Sequence, residues 1–494
     1  MKPPNIVLCL TDQLRAFSTG CYGNPWVRTP HIDGLAAQSV RFANAITNNP
    51  VCMAARSALL SGQYSRSCTG QLGNDFATTN GKGWGAIEPE CPEADRGAHL
   101  PGITLPEALQ QTGYQTAAIG KWHIRPAPAA VGFDHSILPL TNHRHSQQQY
   151  SIDGAAPKAA AGFGPEREIE WVEAFLADRG KTPDTPFFLY YNIMPPHMPL
   201  GDMPDHYLGL YDPRQIPLRP NVSPQDKLPW DEEWFKIYLW DYIYYHYRQP
   251  HTLELPAGFD IKVLTALYYG AVAWVDDLVG RLLHSLQAYG LDENTIVVFA
   301  ADHGDNLGSH HQWNKGMLLE ESTRIPLLCR FPDRWPAAVN HTQVAALIDI
   351  MPTLLEACGQ PIPEHVQGQS LLPILTDQCP ALKRNWACIE TSSSSTGKGH
   401  TEIGLRTPRH LYGMRLETGS GQLVDADFCF YDLASDPYQF SNQMGAANSA
   451  DTQARLKQSL LAWHQHTPWL EHPDSGPDRS HLFDPNGLPR PGPF

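Results

Sequence analysis

The sequence lacks the features that mark a membrane protein, a nucleic-acid binder or a zinc ribbon. No apolar run is long enough to span a bilayer, and none of the 10 cysteines forms a Cys-x-x-Cys pair. Basic residues are outnumbered, with 36 Lys and Arg against 51 Asp and Glu, for a formal net charge of −15. Since phosphate binding needs clustered basic residues, this balance argues against nucleic acid as a partner, although a local basic pocket can still bind a small anion.

The residues at the N-terminus do not predict an export signal. Residues 5–10 form a short apolar run that leads directly into Thr11, Asp12 and Gln13, without a small-residue cleavage site. We therefore expect a cytoplasmic protein, or a periplasmic one if a leader has been trimmed, with reduced and mostly buried thiols. We interpret nine of the ten cysteines as structural, and the exception is Cys52.

Apolar runs of strand length alternate with segments of helical spacing. The pattern predicts strands at 5–10, 114–119, 187–193 and 295–301, and helices at 31–45, 105–112, 168–178 and 264–286. Buried strands that alternate with helices predict an α/β sandwich domain with a mostly parallel central sheet flanked by helices. We assign this large domain to residues 1–378.

A different pattern begins near residue 379. Short strands are predicted near 385–391, 403–415 and 427–432, followed by a helix at 454–463, which indicates a smaller α+β C-terminal domain over 379–472. Residues 473–494 are rich in Pro and Gly and predict an extended tail.

Residues 217–259 are crowded with Trp and Tyr. We interpret them as an insertion that packs on the large domain or on another subunit, and an aromatic wall for a sugar is the alternative. The insertion and the tail are natural contact surfaces for a homo-oligomer.

Polar pairs follow two of the predicted strands. Asp12 and Gln13 follow the first strand, and Asp302 and His303 follow the strand at 295–301. Parallel strands end at the same edge of a sheet, where two carboxylates, an amide oxygen and an imidazole would suit Ca²⁺, Mg²⁺ or Mn²⁺. The alternative is that each Asp caps a turn or a helix, which is the usual role of a lone Asp at a strand end.

Basic side chains occupy similar strand-end and loop segments. They are Arg56, Lys121, His123, His197 and Lys315. A tetrahedral dianion bound to a divalent cation needs such donors for its remaining oxygens. Each residue alone could be a surface residue, but together with the acidic pairs they indicate a site for transfer of an anionic group.

Motifs in a fixed order make this pattern specific. Residues 52–56 (CMAAR) and 59–62 (LLSG) resemble the Cys-x-Pro/Ala-x-Arg signature of sulfatases, which belong to the alkaline phosphatase-like superfamily. Residues 113–123 resemble the second sulfatase signature. Further matches in order and spacing are 195–199 (PPHMP), 302–308 (DHGDNLG), 313–316 (WNKG) and 431–437 (YDLASDP). The resemblance covers nearly the whole chain and is weakest at 217–259 and in the tail.

The resemblance implies a modified nucleophile at Cys52. In sulfatases a formylglycine-generating enzyme oxidises the signature cysteine to an aldehyde, whose hydrate carries two hydroxyl groups on one carbon. One hydroxyl, ionised against the metal, attacks sulfur and expels the alcohol, and loss of the second hydroxyl proton then ejects sulfate. The implied reaction is hydrolysis of a sulfate monoester, of a carbohydrate or another small molecule, to an alcohol and inorganic sulfate.

The resemblance also implies roles for the other residues. The metal, for which we expect Ca²⁺ with Mg²⁺ and Mn²⁺ as alternatives, would be held by Asp12, Gln13, Asp302, His303 and the modified Cys52. Arg56 would steady the diol, and Lys121 and His123 would orient it. His123 would accept its proton. His197 and Lys315 would hold the sulfate, and His197 would protonate the leaving oxygen.

The sequence departs from the usual sulfatase pattern in ways that keep a second reading open. Ala54 and Ala55 stand where many members carry Pro and Ser. The pairs 12–13 and 302–303 also occur in relatives that cleave phosphonate monoesters and phosphodiesters, so a phosphonate monoester hydrolase or phosphodiesterase is the alternative. A non-catalytic binding protein on the same fold is a third hypothesis. His143 and His145 could line the substrate pocket or lie at the surface.

Overall fold

A ten-stranded sheet forms the centre of the protein in the computed structural model, which describes residues 2–69, 100–124, 126–140, 144–223, 259–391, 400–417 and 423–468. Its strands are β1 (Asn5–Asp12), β2 (Val40–Ile46), β3 (Gln115–Gly120), β4 (His135–Pro139), β5 (Gln149–Ile152), β6 (Lys158–Ala159), β7 (Phe187–Pro196), β8 (Thr295–Ala301), β9 (Leu327–Arg330) and β10 (Ala338–Ala346). They lie in the order β10-β2-β9-β8-β1-β7-β3-β4-β5-β6. The strands from β8 across to β4 are all parallel to one another.

The three central strands are buried along their whole length, since protein covers both faces of the sheet. Strand β1 lies between β7 and β8, with Thr11 opposite Ala301 and Asp12 opposite Pro196. Because the three strands run in the same direction, their carboxyl ends meet at one edge. The backbone N–H of Asp302 donates to Thr11 O at 3.1 Å, which fixes the chain at that edge.

Helices pack around the sheet. They are α1 (Pro30–Ala36), α2 (Cys52–Ser61), α3 (Ser65–Cys68), α4 (Leu105–Gln110), α5 (Gly164–Lys181), α6 (Asp205–Leu208), α7 (Ile261–Ala288), α8 (Glu320–Thr323), α9 (Ile350–Ala357), α10 (Leu372–Leu375) and α11 (Ala450–His466). Helices α5 and α7 pack on each other and on β7, and α2, α4 and α9 pack together. The predicted α/β architecture with a mostly parallel central sheet is confirmed.

Helix α7 has 28 residues and begins at the cap residue Asp260, whose side chain accepts from the N–H groups of Lys262 and Val263. The expectation that no segment is long enough to span a bilayer does not hold for this helix, which among the described residues is the one long and apolar enough to cross a membrane, but 83% of its apolar stretch is buried inside the protein. It contacts α1, α5, α6 and β7. These contacts account for its apolar character as that of a core helix.

A second sheet lies in the C-terminal part of the chain. Its antiparallel strands, in spatial order, are β11 (Ala387–Glu390), β12 (His400–Arg406), β13 (His410–Glu417) and β14 (Leu423–Asp432). Together with α11 it gives the α+β character expected of this region. The boundaries at 378 and 472 stay predictions.

Two segments differ from the sequence prediction. A single helix over 31–45 is wrong, because α1 ends at Ala36 and β2 begins at Val40, where pairing with β9 and β10 outweighs the helical spacing. A single strand over 403–415 is also wrong, because the chain turns between β12 and β13, and Pro408 lies in that turn. Most of the insertion, 224–258, and the tail, 473–494, lie outside the described residues.

Candidate active site

The carboxyl ends of β1 and β8 bring two aspartates together. Asp12 is the last residue of β1, and Asp302 follows β8 directly. Asp12, Asp302, His303 and Cys52 each offer one ligand atom within 4.8 Å of the others, and all four side chains are buried. The structure thus places four of the five predicted metal ligands in one cluster.

Cys52 is the first residue of α2 and points into this cluster. Its Sγ lies 2.8 Å from Lys315 Nζ, 3.1 Å from His303 Nε2 and 3.6 Å from Asp12 Oδ1. Burial raises the pKa of the thiol, but the positive charges of Lys315, Lys121 and His303 outweigh it, so the pKa falls well below its ordinary value. Cys52 is therefore the point on which the basic side chains converge.

Gln13, the fifth predicted ligand, follows Asp12 with a φ of 66°, in the left-handed region. Its backbone N–H donates to Asp302 Oδ1 at 3.1 Å. Its side-chain oxygen accepts from Lys315 Nζ at 3.1 Å, and its side-chain nitrogen donates to Asp305 and Asn314. Because Lys315 Nζ also contacts Cys52 Sγ, the Gln13 amide oxygen and Cys52 adjoin the same space.

Arg56 lies one helical turn after Cys52 and is completely buried. Its Nε donates to Asp302 Oδ2 at 2.9 Å and its Nη2 to Asp12 Oδ2 at 3.1 Å. Its Nη1 donates to Asn192 Oδ1 at 2.9 Å. Burial lowers the pKa of Arg56, but the two carboxylates raise it above its usual range, so it stays charged. Arg56 therefore binds the Oδ2 atoms of both aspartates, and the Oδ1 atom of Asp12 lies toward Cys52.

Lys121 and His123 follow β3. Lys121 Nζ lies 2.6 Å from Asp12 Oδ2. Burial lowers the pKa of His123 to about 4, although its hydrogen bond to Cys52 acts in the opposite direction. Gly120 precedes them with a φ of +95°, and a Cβ there would lie 2.1 Å from Asn192 O. The close passage of β3 past β7 at this point therefore requires glycine.

Two histidines have their ring orientation fixed by backbone oxygens. Nδ1 of His197, after β7, lies 2.7 Å from Met198 O, and Nδ1 of His303 lies 2.8 Å from Gly304 O. Each Nδ1 therefore carries the hydrogen, and each Nε2 is directed to the site. Burial and the charges of Lys121 and Lys315 lower the pKa of His197 well below its usual range.

The donor set fits a hard divalent cation. Asp12 and Asp302 offer carboxylate oxygens, Gln13 an amide oxygen and His303 the Nε2 atom, with position 52 beside them. His303 Nε2 is 3.7 Å from Asp12 Oδ1 and 3.6 Å from Asp302 Oδ1. Mainly oxygen ligands favour Ca²⁺, Mg²⁺ or Mn²⁺ over metals that prefer thiolate sites.

Three residues of the site had no assigned role in the sequence analysis. Asp305 and Asn314 hold the Gln13 amide, and Asn192 holds Arg56. Asp305 and Asn314 lie inside the motif segments 302–308 and 313–316, which was the signal that could have found them. Asn192 lies within a buried strand and offered none.

His145 is buried, and its Nδ1 lies 3.0 Å from Asp202 O while its ring packs on Trp274. These contacts favour a structural role, and the idea that it lies at the surface is wrong. His143 lies outside the described residues. His310 is 2.8 Å from Tyr438 O and joins the loop after β8 to the C-terminal region.

Comparisons with known proteins agree with this geometry. The family model described as "Sulfatase" matches residues 4–360, and one described as "N-sulphoglucosamine sulphohydrolase, C-terminal" matches residues 308–466. The ulvan-active sulfatase of Formosa agariphila is 29% identical over 473 residues, which cover 92% of this chain and 80% of that protein.

Solved structures share the fold. One, in complex with its substrate D-glucosamine-2-N,6-O-disulfate, has a TM-score of 0.75 at 24% identity and covers 94% of this chain and 98% of its own. The phosphonate monoester hydrolase of Agrobacterium radiobacter has a TM-score of 0.70 at 21% identity, with 93% and 96% covered. The predicted alkaline phosphatase-like fold is confirmed. Because the first family model matches well over half of its length, this chain belongs to the sulfatase family and is a sulfatase enzyme.

Proposed function

We propose that this sulfatase hydrolyses a carbohydrate sulfate monoester by means of one divalent cation and a formylglycine made from Cys52. The observation that carries the proposal is the convergence of Lys315, His303 and Asp12 on the Cys52 Sγ atom, all within 3.6 Å. A buried structural thiol has no need of a lysine, a histidine and a carboxylate as neighbours. A reacting group that carries negative charge does.

Asp12, Gln13, Asp302 and His303, with position 52, would hold the cation, for which we propose Ca²⁺ because most of these ligands are oxygens. The cation would supply positive charge beside the nucleophile and the sulfate. The hydrated aldehyde would supply two hydroxyl groups on one carbon. The formylglycine-generating enzyme is the maturation partner that this proposal requires.

The surrounding side chains bind the sulfate and move protons. Lys121 and Lys315 flank position 52 with positive charge, and Lys315 and His197 bind sulfate oxygens. Since Nδ1 of His197 is committed to Met198 O, its Nε2 is the atom that would face the leaving oxygen, and the ring would deliver a proton there only as imidazolium, a form that the negative charge of a bound sulfate would favour. His123 hydrogen-bonds to position 52 and, with its pKa lowered to about 4 by burial, is neutral and able to accept a proton from it.

A carbohydrate is supported as the substrate class by the relatives. One is named for its activity on ulvan, and one structural neighbour holds a sulfated glucosamine as its substrate. The second candidate function is phosphonate monoester or phosphodiester hydrolysis. It is favoured by the fold shared with a phosphonate monoester hydrolase. It is also favoured by the sequence pairs at 12–13 and 302–303, in which Gln13 follows Asp12 and His303 follows Asp302.

Mass spectrometry and a substrate panel test the proposal together. Peptides of the active enzyme should carry an aldehyde or its hydrate at position 52, and sulfated monosaccharides should be turned over faster than an aryl phosphonate. Cys52→Ala should fold and lose turnover, whereas the control Cys388→Ala, at another fully buried cysteine, should keep it. Unmodified thiol in a fully active preparation would refute the formylglycine. Phosphonate turnover faster by orders of magnitude would favour the second candidate.

A further inference from the structure

The side-chain amide of Gln13 is held in one orientation. Its Nε2 donates to Asp305 Oδ2 at 2.6 Å and to Asn314 Oδ1 at 3.2 Å, and its Oε1 lies 3.1 Å from Lys315 Nζ. A lysine ammonium can only donate hydrogen bonds. An amide turned by 180° would set its NH₂ group against this ammonium, so Oε1 is the atom that shares the space around Cys52.

Asp305 is held as firmly as the amide it contacts. It is completely buried, and its Oδ1 accepts from the backbone N–H of Leu307 at 2.7 Å while its Oδ2 accepts from Gln13. The turn that carries it is tightly packed, because a Cβ at Gly304 would lie 1.9 Å from Glu321 O. Asp305 is absent from the group of side chains whose ligand atoms cluster around Cys52. Asp305 therefore contacts the proposed ligand Gln13 without being one of the ligands itself.

We propose that Asp305 is a positioning residue of the metal centre, which orients and polarises the Gln13 amide so that Oε1 faces the cation. This inference rests on the proposed metal-dependent function. A hydrogen bond from the far side of a ligand to a carboxylate fixes the ligand and raises its basicity, and loss of such a partner typically costs about 10- to 100-fold in metal affinity. The pair thus combines a neutral oxygen ligand with a negative charge one hydrogen bond further out.

The substitution Asp305→Asn tests this role, because asparagine has one acceptor oxygen where Asp305 serves two donors. Whichever way the new amide turns, its NH₂ group faces either Gln13 Nε2 or the Leu307 N–H. We expect Ca²⁺ binding to metal-stripped protein, measured by calorimetry and by the Ca²⁺-dependent rise in Tm, to weaken about 10- to 100-fold. Equal Ca²⁺ affinity in the variant and the wild-type protein would overturn the proposal.

A reciprocal exchange gives a second test that does not depend on the single variant. Gln13→Glu alone sets two carboxylates against each other. In the double variant Gln13→Glu, Asp305→Asn, the new amide can donate to Glu at position 13 while its oxygen keeps the Leu307 N–H. The double variant should bind Ca²⁺ at least 10-fold more tightly than either single variant. Additive losses would show that the two residues act independently and that the proposal is wrong.

A matched control separates stability from metal binding. Asp349 is also completely buried and accepts from the backbone N–H groups of Ala346 and Gln369. It lies outside the group of candidate metal ligands around Cys52. Asp349→Asn should lower Tm and leave Ca²⁺ affinity unchanged. Absence of divalent cation binding in the wild-type protein would overturn the metal-dependent function together with this inference. Normal wild-type binding with an unaffected Asp305→Asn variant would overturn the inference alone.

Discussion

At the scale of single residues, the site depends on positions that accept only one residue type. Gly120 is one of them, since β3 passes so close to β7 that a Cβ would meet Asn192 O. The next residue, Lys121, donates its backbone N–H to that same oxygen at 3.1 Å and extends its side chain to Asp12. The spacing of two strands thus decides where a positive charge enters the site.

We predict that Gly120→Ala lowers both stability and turnover. The left-handed φ and the backbone clash together should reduce the free energy of unfolding by about 2–4 kcal/mol, and displacement of Lys121 should reduce kcat. Gly113 is the matched control, because it has a φ of +91° but no neighbouring atom within 4 Å of the position that a Cβ would take. Gly113→Ala should cost about 1–2 kcal/mol and leave kcat intact. Urea unfolding and steady-state kinetics measure both, and equal effects of the two substitutions would contradict the clash.

Individual residues also show how far the sequence could predict the site. Asp12 and Asp302 were predictable, because each follows an apolar strand and parallel strands end at one edge. Cys52 was predictable from its motif. Asn192 was not, since it lies within a buried strand and its partner Arg56 is 136 residues away. The role of Asp305 was not predictable either, because the motif gives its position but not that its carboxylate is directed to Gln13.

At the scale of helices and strands, helix α5 carries a buried carboxyl group that the proposed chemistry does not use. Glu168 accepts a hydrogen bond from the Tyr150 hydroxyl of β5 at 2.8 Å, and its Oε2 has no hydrogen-bond partner among the described residues. Burial raises the pKa of Glu168 to about 7, although the Tyr150 hydrogen bond lowers it. The contact between α5 and the sheet is therefore sensitive to pH.

Glu168 should make the protein less stable as the pH rises from about 4.5 to about 7. In this window the unfolded chain releases the proton and the folded protein keeps it, so deprotonation favours unfolding, by about 3 kcal/mol in total. Glu168→Gln should abolish this part of the pH dependence, as measured by denaturant unfolding at pH 5 and pH 8. Glu170→Gln, on an exposed turn of the same helix, is the control and should keep the wild-type profile. A Glu168→Gln profile parallel to that of the wild-type protein would contradict the prediction.

The same scale shows where sequence patterns fail. The central strands β1, β7 and β8 were predicted well because burial on both faces leaves a continuous apolar run. The segment 31–45 was predicted poorly because the helical spacing continues past Ala36 into β2, whose partners β9 and β10 come about 300 residues later. The spacing of apolar residues within one segment cannot indicate a strand partner that lies so far along the chain.

At the scale of the whole molecule, helix α11 in the C-terminal part packs against α3 and Tyr64, which precedes it. Helix α3 is the next helix in the chain after α2, which carries Cys52. Trp463 of α11 meets Tyr64 edge to face at 5.0 Å, and the Arg66 guanidinium lies 4.4 Å from the Trp463 ring. Arg66 also pairs with Glu390 of β11, and its Nη1 is 2.9 Å from His464 Nδ1. The two sheets are therefore joined through residues close to α2, the helix that carries Cys52.

We expect Trp463→Ala to lower the free energy of unfolding by about 3–5 kcal/mol, since it removes a buried indole from this contact. Trp26→Ala is the matched control, because Trp26 is half exposed and should change stability by no more than about 0.5 kcal/mol. Denaturant unfolding followed by circular dichroism measures both. Similar losses for the two variants would show that Trp463 does not join the two parts of the molecule.

The burial of Cys52 also has a consequence in time. The sulfur atom is completely enclosed, and part of its enclosure, His303, is 251 residues further along the chain. At a synthesis rate of about 5–20 residues per second, the ribosome adds His303 roughly 12–50 seconds after it has added Cys52. The proposed oxidation of Cys52 would therefore compete with the growth of the chain, and the order of translation would give the proposed maturation enzyme access to the thiol.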